Sequence, residues 1–450
     1  MLAAFSREIV DCAKCVPNDE FERDRLDGRS IEGGSALARL VRLSVGLLIA
    51  GVLSVGGVTA AEFESPSTVL AADVVPRGLL TSATHRVEPQ VQVAENLLQL
   101  ELTSDFGLFD VTSVALLEIR IHEFTVLDQA IAQYEQAHGP LARPRGGGFR
   151  IPQGADVNTL SAPRGPTSDL STTLTDNDTI LAARGSRLFR QERRVSTRSV
   201  ATGPIFESHR RTVAYHLRLD PYSSNPRVRS FLETVADARA KGQFSAGSGL
   251  VLRPARPMTR RADGGRIEQE VAQLIRHLEL PELRAGLESE IPRMGVSEET
   301  VQKFLEHPSY SPTLRASITA HLDLLGEAQG REAFFSSALG ARSEAEALSF
   351  EQLSRMLAVY HEDVGNIVKL ISGGRALPGA LRKDGALVLM LPVDYVYWTP
   401  TAKRIFDSLR EAEGGKGRPI ELVVRGTLSR GARTALAARG VTLREAFLAP

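Results

Sequence analysis

Pro392–Thr399 is the stretch whose residue types best suit chemistry. It contains Asp394, two tyrosines and the only tryptophan of the chain, and it follows a strand-like run, Ala386–Leu391. Ligands gather at the carboxyl ends of parallel strands. Asp394, Tyr395 and Trp398 would therefore suit a pocket for a sugar, a peptide or a cationic group. The same residues would equally suit a packing seam between a helical bundle and an α/β layer, and the seam is the favoured interpretation.

Tyr360–Asp363 places an imidazole beside two carboxylates. A zinc helix of the H-E-x-x-H type needs a second histidine, but residue 365 is glycine. On a helix, His361 and Asp363 do not share a face. We therefore predict a solvated helix face here. We predict neither a metal nor a cofactor for the chain.

Tyr215–Arg227 is the most tightly specified local structure. Pro221 excludes a helical backbone at Asp220, and Asn225 is a good N-cap for a helix that starts at Pro226. A rigid corner between two helices is the favoured interpretation. The alternative is a binding surface formed by three residues of the corner, namely Asp220, Tyr222 and Asn225.

Two weaker motifs are present. Gly426–Gly431 lies between a predicted strand and a predicted helix, where the helix N-terminus would suit an anion, but its spacing matches no specific phosphate motif. Cys12 and Cys15 form the only C-x-x-C pair. Neither a second pair nor a nearby histidine completes a zinc site, so we predict no chemistry at these cysteines.

The composition is that of an ordinary globular protein, with 42% hydrophobic and 24% charged residues. There are 54 basic and 54 acidic residues, so the formal net charge is zero. A nucleic-acid-binding protein would need a basic excess or a concentrated basic patch. We therefore expect no nucleic-acid partner.

An uncharged run, residues 43–61, follows Arg39 and Arg42 and ends in small residues. This order is typical of a secretory signal peptide, and a membrane anchor is the alternative. The mixed-charge residues 1–40 are a poor leader, so we predict that translation starts near Val41 and that the mature chain begins near Glu62. The predicted location is periplasmic or secreted.

A Gly-, Pro- and Ser-rich segment, residues 138–205, is predicted to be a flexible insertion, because it cannot bury enough apolar surface to offset its ordering entropy. It contains a basic stretch from Arg184 to Arg198. A solvated basic segment is the simpler interpretation. Of the specific partners that such a stretch could bind, anionic lipid is favoured over nucleic acid.

The periodicities predict an α+β fold that is mainly helical. It comprises a short strand-helix unit, a helical bundle and a small βαβαβ layer. A helix from Ser113 to Gln136 should expose Glu118, Arg120, Glu123 and Asp128. Residues 62–90 should form a loose lead-in, and one or two strands should lie between Val91 and Val111. One bundle helix should begin at Ser297. The last bundle helix should run from Glu344 to Ile371, with a break near Gly365 as the alternative. The predicted organisation after the signal segment is 62–137, 138–205, 206–372 and 384–450.

Four motifs give the chain a resemblance to a family. It resembles uncharacterised exported bacterial proteins, mostly proteobacterial, over most of the chain after about residue 95. The resemblance is carried by Leu117–Glu123, Tyr215–Asn225, Pro392–Thr399 and Gly426–Ala432. It implies export, but it implies neither an activity nor catalytic residues.

These observations predict a non-enzymatic binding or scaffolding protein of the cell envelope, with an unidentified protein or envelope component as its partner. The alternative is a hydrolase whose site lies between the bundle and the α/β layer, around Asp394 and His361. A pocket that joined these two side chains would favour the hydrolase.

Overall fold

A computed structural model describes residues 63–65, 68–138, 205–240, 264–373, 376–411 and 417–448, which all belong to the same structural unit. The chain is α+β, with more helix than strand and several sheets. The predicted signal segment, the cysteine pair and the basic stretch 184–198 lie outside the described residues.

The first part of the chain forms a five-stranded antiparallel sheet. Its strands are β1 (Thr68–Leu70), β2 (His85–Val87), β3 (Gln90–Ala94), β4 (Leu97–Ser104) and β5 (Gly107–Thr112), with the helical turns α1 (Ala71–Val74) and α2 (Arg77–Leu80) between β1 and β2. The strands predicted between Val91 and Val111 are confirmed. The prediction of a loose lead-in is wrong, because scattered apolar residues such as Ala71 and Leu79 are buried in the same core as the sheet.

Helix α3 (Val114–His138) packs on this sheet. Ser113 accepts a hydrogen bond from the amide of Leu116, as an N-cap does, which confirms the predicted start. The predicted solvent-exposed face is wrong in part, since Arg120 is 8% exposed and Glu123 is 3% exposed. A surface helix has one apolar stripe, whereas α3 is covered on several sides.

Eight further helices follow: α4 (Ile205–Leu217), α5 (Pro226–Ala240), α6 (Gly264–His277), α7 (Leu280–Arg293), α8 (Glu298–Glu306), α9 (Pro312–Asp323), α10 (Arg331–Ala338) and α11 (Glu344–Asp363). The apolar stripes of α6–α11 are buried together, whereas those of α4 and α5 pack with α3 in a separate core. Ser297 caps α8 as predicted. The predicted extension of the last helix to Ile371 is wrong, whereas the alternative, a break near Gly365, is confirmed. The backbone leaves α11 at Asp363, and the β-branched run from Ile367 pairs instead with a neighbouring strand and with Gln329.

The last part forms a second five-stranded sheet, in the order β12-β10-β8-β7-β6. Its elements are β6 (Ile367–Gly373), β7 (Ala376–Arg382), β8 (Leu387–Leu391), α12 (Pro400–Glu411), β10 (Ile420–Val424), α13 (Arg430–Ala437) and β12 (Val441–Arg444). β8, β10 and β12 are parallel, as the predicted βαβαβ pattern requires. The sequence reading missed β6 and β7, which are antiparallel.

A two-residue parallel ribbon extends this sheet beyond its carboxyl edge. It pairs β9 (Tyr395–Val396) with β11 (Thr427–Leu428). Gly426 sits where β10 leads into the ribbon, and a Cβ there would lie 1.8 Å from the carbonyl oxygen of Asp394. Only glycine permits this approach. Within the described part of the chain, no helix is both long and apolar enough to cross a bilayer.

Candidate functional site

The corner at Asp220–Asn225 is docked on α3 through the buried carboxylate of Glu123. Asn225 Nδ2 donates to Glu123 Oε2 at 2.8 Å, and Ser223 Oγ donates to Oε1 at 2.5 Å. Arg120 Nη1 donates to the same Oε2 at 2.9 Å. The Oδ1 of Asn225 accepts from the amide of Arg227, which confirms the predicted N-cap. The two polar residues of α3 are thus buried because the corner supplies their partners.

The rest of the corner is also engaged within the chain. Asp220 Oδ1 accepts from Thr313 Oγ1 at 2.7 Å and from the amide of Tyr222 at 2.9 Å. Burial, above all, raises the pKa of the Asp220 carboxyl. Ser224 Oγ donates to Glu344 at 2.6 Å, and the guanidinium of Arg210 lies 5.4 Å from the centre of the Tyr222 ring. The corner therefore joins α3, α9 and α11.

Asp394 occupies the carboxyl edge of the second sheet, where it lies against the N-terminal elements. Its Oδ2 accepts from the amides of Leu98 and Val114, each at 3.0 Å. Val114 is the first residue of α3, so the carboxylate satisfies an amide that the helix itself leaves without a partner. A negative charge at this position also suits the helix dipole. Asp394 is 4% exposed.

Arg425 lies between Asp394 and Glu118. Its Nη2 is 2.5 Å from Glu118 Oε1, while its Nη1 is 3.9 Å from Asp394 Oδ1. The Nε of Arg425 is buried without a hydrogen-bond partner. Burial, which outweighs the attraction of Arg425 and the two backbone hydrogen bonds, raises the pKa of Asp394 to about 6. One guanidinium thus serves two carboxylates.

Tyr395 and Trp398 pack in different parts of the seam. Trp398 is buried in the core of the second sheet, and the guanidinium of Arg439 lies 4.6 Å from its ring centre. Tyr395 is partly buried against the core of the first sheet, with its ring 4.9 Å from that of Tyr397. The seam thus joins the two sheets, rather than the helices and the second sheet as predicted.

The predicted anion position at Gly426–Gly431 holds a carboxylate from the chain itself. Glu64 Oε2 accepts from the amide of Trp398 at 2.8 Å and from Ser429 Oγ at 2.5 Å, just before α13. A Cβ on Gly431 would lie 2.5 Å from this carboxylate. Glu64 also donates its amide to the Trp398 carbonyl at 2.8 Å. The N-terminal segment is thereby fastened to the second sheet.

Comparison with protein-family models, with curated proteins and with solved structures gave no significant match. The resemblance to the exported bacterial family therefore stays a prediction. The four stretches on which it rests nevertheless meet in two pairs. Leu117–Glu123 contacts the corner, and Pro392–Thr399 pairs with Gly426–Ala432 through the ribbon.

His361 does not share hydrogen bonds with Asp394. Its Nδ1 accepts from the amide of Ile367 at 3.1 Å, where the chain passes from α11 to β6. Burial lowers the pKa of this imidazole. Two cavities of the described residues lie between α12 and the sheet and beside α7 and α8, and neither is lined by His361, Asp394, Tyr395 or Trp398.

The sequence reading missed a buried polar cluster between α9 and α11. His321 Nδ1 lies 3.1 Å from Ser354 Oγ and 3.8 Å from Glu351 Oε1. Burial lowers the pKa of His321 to about 3, so the imidazole is neutral. In a catalytic triad the base contacts serine and acid through different nitrogens, whereas here both face the same one. The i,i+3 spacing of Glu351 and Ser354 was the available signal.

A second missed cluster crosses the face of the second sheet. Glu421 is 6% exposed and accepts from Tyr360 Oη at 2.5 Å, from Arg382 Nη1 at 3.3 Å and from Arg444 Nε at 2.9 Å. Burial, followed by the hydrogen bond to Glu421, raises the pKa of Tyr360 to about 12. Two guanidinium groups balance this carboxylate. The cluster ties α11 to three strands.

Proposed function

We propose that the protein is an exported, non-enzymatic binding or scaffolding protein of the cell envelope. One observation carries this proposal: the polar side chains that the sequence analysis singled out form their hydrogen bonds within the protein itself. Glu123, Asn225 and Asp394 each bind other parts of the same chain around α3. A scaffold needs such joints to keep its surfaces in place, whereas an enzyme needs side chains free to meet a substrate.

Where an α/β enzyme would place its ligand, this chain places its own N-terminal elements. Ligands of open α/β sheets bind outside the carboxyl ends of the strands. Here that edge contacts the β3–β4 turn, because the amides of Asp394 and Tyr395 both donate to the carbonyl of Asn96. This occupation supports the non-enzymatic proposal. It also supports the finer architecture, in which a helical bundle at 206–372 and an α/β layer at 384–450 form one scaffold.

Fractionation tests the location. The native host, in which translation begins at the natural start, would be fractionated by osmotic shock, and the intact protein would be analysed by mass spectrometry. We expect a periplasmic species that begins near Glu62. A cytosolic chain that retains residues 1–61 would overturn export, and a membrane-bound chain that retains residues 43–61 would favour the anchor.

A hydrolase remains the second candidate, because the raised pKa of Asp394 suits a general acid or base. Fluorogenic ester, phosphoester, glycoside and peptide substrates would be incubated with the wild type and with Asp394→Asn between pH 5 and pH 8. We expect no turnover by either protein. Turnover by the wild type that Asp394→Asn abolishes would overturn the non-enzymatic proposal.

The predicted lipid contact also stands as a proposal. Vesicles of phosphatidylglycerol should sediment with the wild type, and vesicles of phosphatidylcholine should not. Replacement of the basic residues between Arg184 and Arg198 by glutamine should abolish this difference. Equal sedimentation of the substituted and unsubstituted chains would remove the basic stretch from the proposal.

A further inference from the structure

Asp394, Arg425 and Glu118 form a buried to partly buried triplet in which two carboxylates share one guanidinium. Asp394 and Arg425 are 4% and 5% exposed, and Glu118 is partly exposed. Full compensation of two negative charges would need a second cation. No metal-binding group of acidic, histidine or cysteine side chains occurs in the described residues. A proton is the simplest species that restores the balance.

The neighbouring charged groups also have more carboxylates than cations. Glu268 lies 2.7 Å from Arg355, which also attracts the buried carboxylate of Glu351. Burial, above all, raises the pKa of the Glu268 carboxyl, and the negative charge of Glu118 adds to this shift. His321, next to Glu351, is neutral and adds no positive charge. Among the described residues, these neighbouring groups therefore supply no further cation to the triplet.

The triplet lies where α3 and the first sheet contact the second sheet. Oδ2 of Asp394 holds the first amide of α3 and an amide of β4, while Arg425 holds Glu118 one turn further along α3. A neutral carboxyl group keeps Oδ2 as the acceptor of both amides and loses the charge that lacks full compensation. Protonation therefore relieves the desolvation cost and leaves the joint intact.

We propose that the Asp394–Arg425–Glu118 triplet is a proton-operated joint that holds the first sheet and α3 to the second sheet more tightly as the pH falls. The sign follows from proton binding. The pKa of Asp394 is about 6 in the folded protein, above the ordinary value of 3.8, so the folded state binds the proton more strongly than the unfolded state. The resulting stabilisation is complete below about pH 4 and is lost as the pH rises through 6. The joint operates wherever the chain is located.

Hydrogen exchange of the Leu98 and Val114 amides tests the proposal, because both amides bind Asp394. Exchange would be followed by mass spectrometry at pH 5 and pH 7 and corrected for the intrinsic rate. From the two pKa values, proton linkage predicts an opening constant about tenfold larger at pH 7. An opening constant that is equal at the two pH values in the wild type would overturn the proposal.

Three variants assign the effect. Asp394→Asn cannot titrate, so its opening constant should not depend on pH. Glu118→Gln leaves Arg425 to Asp394 alone, so the dependence should fall below tenfold; a full tenfold change in this variant would contradict the shared guanidinium. Glu421→Gln removes a carboxylate that two arginines already balance, and it should keep the wild-type dependence.

If Asp394→Asn does not fold, the wild-type protein still decides the question. Labelling of aspartate with ¹³C at the carboxyl carbon allows titration of the folded chain. Paramagnetic relaxation from a spin label on Thr112→Cys, in a chain that also carries Cys12→Ser and Cys15→Ser, identifies the resonances near the seam. We expect one of these carboxyl groups to titrate near pH 6. Titration of every such group near pH 4 would overturn the proposal.

Discussion

Replacement of Glu123 by alanine should detach the corner from α3. Glu123 accepts from three side chains, Arg120, Ser223 and Asn225, and is 3% exposed. Removing one partner of a buried ion pair costs about 3–5 kcal/mol, because the other charge stays buried without compensation. Ser224 and Glu344 still bind Arg120, so the lower end of that range applies. We expect a loss of about 3 kcal/mol in the free energy of unfolding.

Urea unfolding, followed by fluorescence and by far-UV circular dichroism, measures this loss. Glu123→Gln should cost less than Glu123→Ala, because the amide oxygen of glutamine still accepts a hydrogen bond. It should still destabilise the protein, because the NH₂ group of glutamine meets a donor. Glu299→Gln is the control. It breaks an i,i+4 ion pair with Lys303 on the surface of α8 and should be indistinguishable from the wild type. A midpoint of Glu123→Ala equal to that of Glu299→Gln would refute the corner as a joint.

Two further substitutions test the second sheet by thermal unfolding. Gly426→Ala should destabilise the protein by about 3–5 kcal/mol, because its Cβ would overlap the Asp394 carbonyl. Gly286→Ala in α7 should stabilise the protein by about 0.5–1 kcal/mol, because a Cβ there would have no atom within 4 Å. Equal effects of the two changes would show that the close approach is absent. Glu64→Ala should cost about 1–2 kcal/mol through the loss of the hydrogen bonds from Trp398 and Ser429, and an unchanged melting temperature would show that the N-terminal segment is not fastened there.

Local patterns predicted the local structure well. The N-caps at Ser113, Asn225 and Ser297, and the strand-helix alternation after residue 384, depend on neighbours within a few residues. Such signals are complete in the sequence, because the cap and the amide that it binds lie within one turn.

The long-range contacts were not predictable in the same way. Arg120 and Glu123 are spaced i,i+3, which is also the spacing of a surface ion pair, and nothing near them marks the corner, about 100 residues later, that buries them. Asp394 binds backbone amides, which every residue other than proline possesses. Its aromatic neighbours indicated a seam, but not the elements on the other side. Strand β6 was missed because its apolar run also suits a helix.

Ser113 caps α3 locally, but the second side chain that binds the N-terminus of this helix, Asp394, is separated from it by most of the chain. Asp394 follows Val114 by 280 residues. Synthesis at 5–20 residues per second adds the first residue of α3 roughly 14–56 s before it adds Asp394. During that interval the first sheet and α3 expose apolar faces that later contact the helices and the second sheet. The N-terminal third of the chain therefore depends on its C-terminus for completion, and a chain truncated before residue 394 should need a chaperone rather than fold alone.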